Sequence, residues 1–238
     1  MKITLTENLK QKPDFKNLGF GKYFTDHMLY MEYVDGKWGE VEIRPFSDIA
    51  VNPASVVFHY GQEIFEGMKA YKNTDGKITM FRPRDNILRM NRSAKRLCMA
   101  ELPVDEVLEG IFELVRIEKD WIPTDPGTSL YIRPTMIANE NFLGVHPSKK
   151  YIFFVILSPV GSYYAHGLEP TRIYVEDVFN RAALGGTGEC KCGGNYAASN
   201  RAGERAEKKG YSQVLWLDGV ERKYIEEVGA MNVMFKID

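Results

Sequence analysis

The sequence predicts an α+β protein of two domains, and three observations carry that reading. Short runs rich in β-branched and aromatic residues, bounded by Asp-Gly turns, recur along the chain as strands. Two stretches with apolar residues at helical spacing open at Pro83 and Val104. Between Ser158 and Pro170 the chain is punctuated by proline and glycine, which marks a boundary. Residues 1–157 are therefore expected to form a small N-terminal α/β domain, 158–170 a linker, and 171–238 the start of a second domain. A length of 238 residues suits two modest cores.

Taken in order, Met1 to about Gly21 is polar and lacks periodicity, so an extended arm is expected. Thr25 to Tyr33 reads as a strand, and Asp35-Gly36 as the hairpin turn into Trp38 and Val41. His27 within it is a candidate ligand or base, although a lone histidine in a strand is expected to be structural. The segment His59 to Phe65 and the Glu66 that follows it offer two aromatics, Tyr60 and Phe65, and the carboxylates Glu63 and Glu66, which could serve as a general acid and base. Glu66 precedes glycine, which favours a hydrogen-bonded turn over general acid-base work. The Asn73-Thr74-Asp75-Gly76 turn leads into a strand from Lys77 to Phe81.

Pro83 then starts a helix, since its missing N–H is unneeded at a first turn, with Ile87, Met90, Ala94 and Leu97 as its apolar stripe. The same helix carries Arg84, Arg89, Arg92, Lys95 and Arg96. Val104 to Trp121 is a second amphipathic helix, with Val107, Leu108, Ile111, Leu114 and Val115 facing inward. Ser129 to Pro134 reads as a strand in which Tyr131 and Arg133 point to one face. Lys150 to Leu157 and Tyr211 to Leu217 read as buried strands, and Thr171 to Val178 as a strand. Tyr196 is expected to open an alanine-rich helix with Ala198, Ala202 and Ala206 on one face.

Composition narrows the function. A net charge of −1 argues against a nucleic-acid or anionic-membrane surface and in favour of small-molecule partners. No apolar run approaches the roughly 20 residues that span a bilayer, so no membrane partner is expected. Three cysteines, Cys98, Cys190 and Cys192, form no paired framework, which points to a reducing cytoplasm. Cys190 and Cys192 make a Cys-x-Cys without a second pair, a poor zinc site, and are expected to be small buried hydrophobes.

The most informative stretch is Gly185-Gly186-Thr187-Gly188-Glu189-Cys190-Lys191-Cys192-Gly193-Gly194-Asn195-Tyr196. A phosphate-binding loop would need Ser or Thr after the lysine, and a dinucleotide loop a glycine in its place. What remains is an amine, a phenol and glycines that let backbone approach a flat or phosphorylated group. A lysine amine captures carbonyls as Schiff bases, the covalent device of pyridoxal-phosphate enzymes, which makes Lys191 the catalytic candidate. Glu227, after the Asp218-Gly219 turn, can supply the carboxylate that a pyridinium nitrogen needs.

Together with Phe20-Gly21-Lys22-Tyr23-Phe24-Thr25-Asp26-His27-Met28, His59-Tyr60-Gly61-Gln62-Glu63-Ile64-Phe65-Glu66-Gly67-Met68-Lys69-Ala70 and Phe81-Arg82-Pro83, these residues resemble the branched-chain amino-acid aminotransferases. These are class IV pyridoxal-phosphate enzymes. The resemblance implies that family's fold, two domains each built on a β-rich sheet or pseudo-barrel flanked by helices, with residues 171–238 beginning the larger cofactor domain. In the family that domain runs well beyond residue 238, so a truncated chain is expected, ending in an unpaired strand from Met231 to Asp238.

The resemblance also implies pyridoxal 5'-phosphate as cofactor, with Lys191 holding it and shuttling the proton, Tyr196 at its phenolic oxygen, Glu227 at its ring nitrogen and Arg89 at its phosphate. For substrate binding it implies Phe20, Tyr60 and Tyr131 as an apolar wall, Arg133 at the distal carboxylate of glutamate, and Tyr163 as a further contact. The implied reaction is transamination of leucine, isoleucine or valine with 2-oxoglutarate by a homodimer. Ala230 departs from the threonine common there. The alternatives are D-amino-acid aminotransferase, aminodeoxychorismate lyase, or a catalytically silent fragment; the Phe65–Ala70 run and the N-terminal arm favour the branched-chain group.

Overall fold

The computed structural model describes residues 1–162 and 170–237. The chain divides into two compact units, Met1–Gly167 and Leu168–Asp238. In the first, β1 (Lys2–Ile3), β2 (His27–Val34), β3 (Lys37–Trp38) and β4 (Glu42–Pro45) precede helix α1 (Val56–Tyr60). There follow β5 (Glu63–Phe65), β6 (Met68–Lys72), β7 (Ile78–Met80), helices α2 (Pro83–Arg96) and α3 (Val104–Ile117), and strands β8 (Ser129–Ala138) and β9 (Tyr151–Val160). The second holds β10 (Ile173–Glu176), α4 (Gly193–Ala197), α5 (Asn200–Lys208), β11 (Gln213–Leu217) and β12 (Ile225–Val228).

The first unit is one sheet in the order β1-β4-β2-β9-β8-β6-β7, with β3 added to β2 and β5 to β8. Apart from the parallel β1–β4 pair, its neighbours run antiparallel. Alternation along β8 shows its two faces. Leu130, Ile132, Met136 and Ala138 are fully buried, whereas Tyr131, Arg133, Thr135 and Ile137 are only half-buried on the other face. Helices α2 and α3 pack together and against β5, β2 and β4, burying Ile87, Met90 and Ala94 from α2 and Ile111 and Leu114 from α3.

Several elements depart from the sequence reading. The short helix α1 has no counterpart in it, because five residues show no periodicity. Strand β8 runs past Pro134 to Ala138. Proline removes a ladder donor, but Glu66 N donates to the Pro134 carbonyl where β5 gives way to β6, so no partner there calls for the missing N–H. Strand β9 likewise runs to Val160, beyond the expected limit at Leu157, because β2 pairs only as far as Val155 and Pro159 lies past it.

Helix α3 ends at Ile117, and Lys119–Trp121 forms a separate 3₁₀ turn. Tertiary bonds impose the break: buried Glu118 accepts from His27, and Trp121 Nε1 donates to Asp26 at 2.8 Å. Residues 232–237 carry no regular structure instead of the expected strand.

In the second unit β10, β11 and β12 form a three-stranded sheet, parallel and then antiparallel. Its core is Ala202, Ala206, Val214 and Trp216, flanked by Tyr174, Phe179 and Tyr211. Tyr196 lies inside α4 rather than opening a longer helix, and Ala198 is exposed. Ser199 Oγ donates to the Tyr196 carbonyl at 2.6 Å, and such local bonding competes with continued helix. Among the described residues no helix is long and apolar enough to cross a membrane.

Candidate functional site

The site residues expected from sequence fall into two groups, one in each unit. In the second unit the glycine loop before Lys191 folds back on the chain at Ala182. At Gly188 a Cβ would lie 2.6 Å from that of Ala182, so only glycine permits the approach. Asn195, which the sequence reading does not single out, closes the loop. Its Nδ2 donates to the carbonyls of Thr187 and Cys190, both at 2.7 Å, and its Oδ1 accepts from Thr187 Oγ1 at 2.8 Å. Cys190 and Cys192 are buried beside the lysine, and neither is in a disulfide.

Lys191 Nζ donates to Tyr196 Oη at 2.7 Å. Their spacing of five residues reflects one step out of the loop followed by the single turn of α4. Glu227 sits on β12 opposite Trp216, and its Oε2 is 3.1 Å from Arg181 Nε. Arg181 is a second residue not singled out from sequence. Its guanidinium carbon lies 5.4 Å from the Tyr196 ring centroid, and its buried Nη1 has no hydrogen-bond partner. Nothing in the composition marks it, since its carboxylate partner is distant in sequence and meets it only through the sheet.

The connection that delivers β12 is held by Asp218. Its carboxylate accepts the backbone N–H groups of Tyr224, Glu221, Lys223 and Val220, which hold it well below the usual carboxylate range. A depressed pKa stabilises the fold above the unfolded value near 3.9 and is lost as pH falls through the folded one. The β11–β12 connection is therefore expected to loosen below about pH 4. Amide exchange at residues 218–224 checks this: Asp218→Asn, which keeps one acceptor oxygen but no charge, should exchange faster at neutral pH and respond less to acid. An unchanged acid response in that variant would count against the assignment.

In the first unit Phe20 lies 4.9 Å from Tyr131, ring to ring, and Arg133 Nη2 donates to Tyr131 Oη at 2.8 Å. The Arg133 guanidinium lies 4.5 Å from the Phe65 ring centroid, and its Nε is buried without a hydrogen-bond partner. Phe20, Phe65, Tyr131 and Arg133 thus share one place on the open face of the sheet. Gly67 allows it, because a Cβ there would collide with the Tyr131 hydroxyl. Gly67→Ala is expected to displace that hydroxyl from Arg133 and to weaken ligand binding there by roughly tenfold while the fold persists. Titration with glutarate, followed by thermal shift, would report it.

Arg89, the expected phosphate ligand, donates through Nε and Nη2 to Glu66 at 2.6 and 2.8 Å. Glu66 is wholly buried and also accepts from Asn86 and from the Gly67 N–H, the turn role expected of it rather than that of an acid-base group. Arg89 is 47 % exposed, so solvent reaches it. Tyr60 stands apart from Phe20 and Tyr131: it ends α1, 43 % exposed, and donates to the Leu143 carbonyl. Tyr163 lies outside the described residues.

His27 is buried in a structural role. Its Nε2 accepts from the Thr6 N–H at 2.9 Å, so the proton is on Nδ1 and donates to Glu118 Oε1 at 2.5 Å. Burial pushes the Glu118 carboxyl above its ordinary value. Among the described residues no group of three His, Cys, Asp or Glu is placed to hold a metal.

The family model for class IV aminotransferases matches residues 63–238. Branched-chain-amino-acid aminotransferase 2 of Bacillus subtilis is 53% identical, over all of this chain and 66% of that protein. A probable branched-chain-amino-acid aminotransferase of Staphylococcus aureus is also 53% identical, over 99% of this chain and 66% of its own length. Among solved structures, the branched-chain amino acid aminotransferase from Escherichia coli superposes with a TM-score of 0.63 at 27% identity, covering 85% of this chain and 61% of that one. The chain thus spans just under two thirds of the length of these curated relatives. With the family model extending over most of its residues, the chain belongs to the class IV aminotransferases.

Proposed function

We propose that this protein transfers the amino group of leucine, isoleucine or valine to 2-oxoglutarate, using pyridoxal 5'-phosphate held by Lys191. The observation that carries the reading is the linked set Lys191–Tyr196–Arg181–Glu227 in the second unit. Its chemistry suits that cofactor: a nucleophilic amine, a phenol beside it, a carboxylate for a ring N–H, and a buried guanidinium nitrogen still lacking an acceptor. The branched-chain specificity is supported by the relatives' names and by the aromatic group around Tyr131.

When bound, pyridoxal phosphate withdraws electrons from the substrate Cα and so acidifies its C–H bond. Lys191 would take that proton at Cα and deliver it to C4′ of the cofactor, a general acid-base role worth roughly 10²–10⁴-fold. Tyr196 would hold the amine in place and donate to the cofactor's phenolic oxygen, and Glu227 would accept from the ring nitrogen. Arg89, which Glu66 holds through Nε and Nη2, would bring its charge and a charge-assisted bond from the outer edge of its guanidinium to the phosphate. Phe20 and Tyr131 would shelter an aliphatic side chain from water, while Arg133 would neutralise the distal carboxylate of glutamate.

The working form proposed is a homodimer in a reducing cytoplasm. None of the three cysteines is in a disulfide, which agrees with such a compartment. Phe58, Tyr60, Phe142, Leu143 and Val145 are exposed, and α1 is tied to the β8–β9 connection by the Val56 N–H to the Glu140 carbonyl and the Phe142 N–H to the Ala54 carbonyl. Exposed apolar side chains brought together in this way suit a second copy. The test is glutamate formation from 2-oxoglutarate with leucine, isoleucine, valine or D-alanine as donor, beside pyruvate release from aminodeoxychorismate. Turnover confined to the three branched-chain donors supports the reading, and turnover confined to either of the other two would replace it.

A further inference from the structure

A pyridine ring nitrogen is a strong electron sink while it carries a proton, and a carboxylate that accepts a hydrogen bond from that N–H keeps the proton there, so whatever fixes that carboxylate governs the site. Glu227 is a half-buried side chain on the short strand β12. The group that orients it is Arg181. Its Nε engages Oε2 at 3.1 Å, while its guanidinium carbon lies 5.4 Å from the ring of Tyr196, the phenol that Lys191 also contacts. One cation therefore touches the carboxylate and the phenol together.

A purely structural ion pair does not account for this arrangement. Arg181 is only 8 % exposed, and its Nη1 is buried with no hydrogen-bond partner. Burying a guanidinium with an unsatisfied donor destabilises the unit. Features that cost stability in this way collect where a fold serves a ligand. The adjacent Asn180 has an orphaned buried Oδ1 as well.

We infer that Arg181 is a positioning residue: it fixes Glu227 through Oε2 and so leaves Oε1 as the acceptor for the cofactor's ring N–H. The inference rests on the cofactor reading above. It assigns Arg181 no contact with the ring nitrogen itself, and its effect passes through Glu227.

The test compares two probes on the chain as it stands, pyridoxal phosphate and its 1-deaza analogue, in which a C–H replaces the ring nitrogen. Dissociation constants come from quenching of Trp216, the cross-strand partner of Glu227. The unsubstituted chain should prefer pyridoxal phosphate by about 10-fold or more, the worth of one charge-assisted hydrogen bond. Arg181→Ala should shrink that preference to about 3-fold or less while the deaza analogue binds nearly as before, which also shows the variant folded. Arg181→Lys, whose ammonium can still donate to Oε2, should restore part of the preference, and decides the matter if the alanine variant does not fold. Equal loss of both probes, or an undiminished preference, overturns the inference and leaves the cofactor reading in place. A folded, unsubstituted chain that binds no pyridoxal phosphate overturns both.

Discussion

Lys191→Ala is expected to abolish borohydride-stable incorporation of pyridoxal phosphate and to lower amino transfer by at least roughly 10²–10⁴-fold. The loss is large because one amine, the one bonded to Tyr196, both anchors the carbonyl and moves the proton. Peptide mapping after reduction reads the first effect, and single-turnover reaction with leucine the second. Incorporation that persists at another lysine would remove Lys191 from its assigned place. Tyr196→Phe should fall between, since it removes the hydroxyl at 2.7 Å but leaves the amine.

The largest effect on stability is expected at Trp216. The side chain is 1 % exposed, packs against Ala202, Ala206 and Val214, and donates from Nε1 to the Gly229 carbonyl at 3.0 Å. Trp216→Ala should cost about 3–5 kcal/mol, by lost transfer energy and the cavity left behind. For a unit as small as residues 168–238 that is a large share of the available stability. The expected outcome is faster amide exchange across β11 and β12 while β8 and β9 stay protected. A midpoint shift worth less than about 1 kcal/mol would show that the aromatic neighbours Tyr174, Phe179 and Tyr211 repack into the space.

Much of both units was legible in the chain itself. Pro83 and the Ile87, Met90, Ala94 and Leu97 stripe announce α2; the first three side chains are buried in it, whereas Leu97 is half-buried just past its end at Arg96. Asp35-Gly36 announces the β2–β3 turn, where both residues take the left-handed conformation that the turn requires. These are local signals, in which period and turn chemistry act within a few residues. Lys191, Tyr196 and the glycines were legible because reactive chemistry and close approach leave few residue types to choose from.

What only the tertiary structure decided has another physical origin. Helix α3 stops at Ile117 because Glu118 is drawn to His27, 91 residues away, and β8 continues through Pro134 because its missing donor falls at the step between two neighbouring strands. Arg89 was legible as a phosphate candidate, but its bidentate bond to buried Glu66 was not. Arg181 and Asn195 acquire their partners only when loop, helix and sheet assemble, through bonds to Glu227 and to the Thr187 and Cys190 carbonyls. The sequence by itself determined which chemistry is present and where strands and helices nucleate. Which side chains hold that chemistry in place was decided by long-range hydrogen bonds and ion pairs, whose geometry is not written in any local pattern.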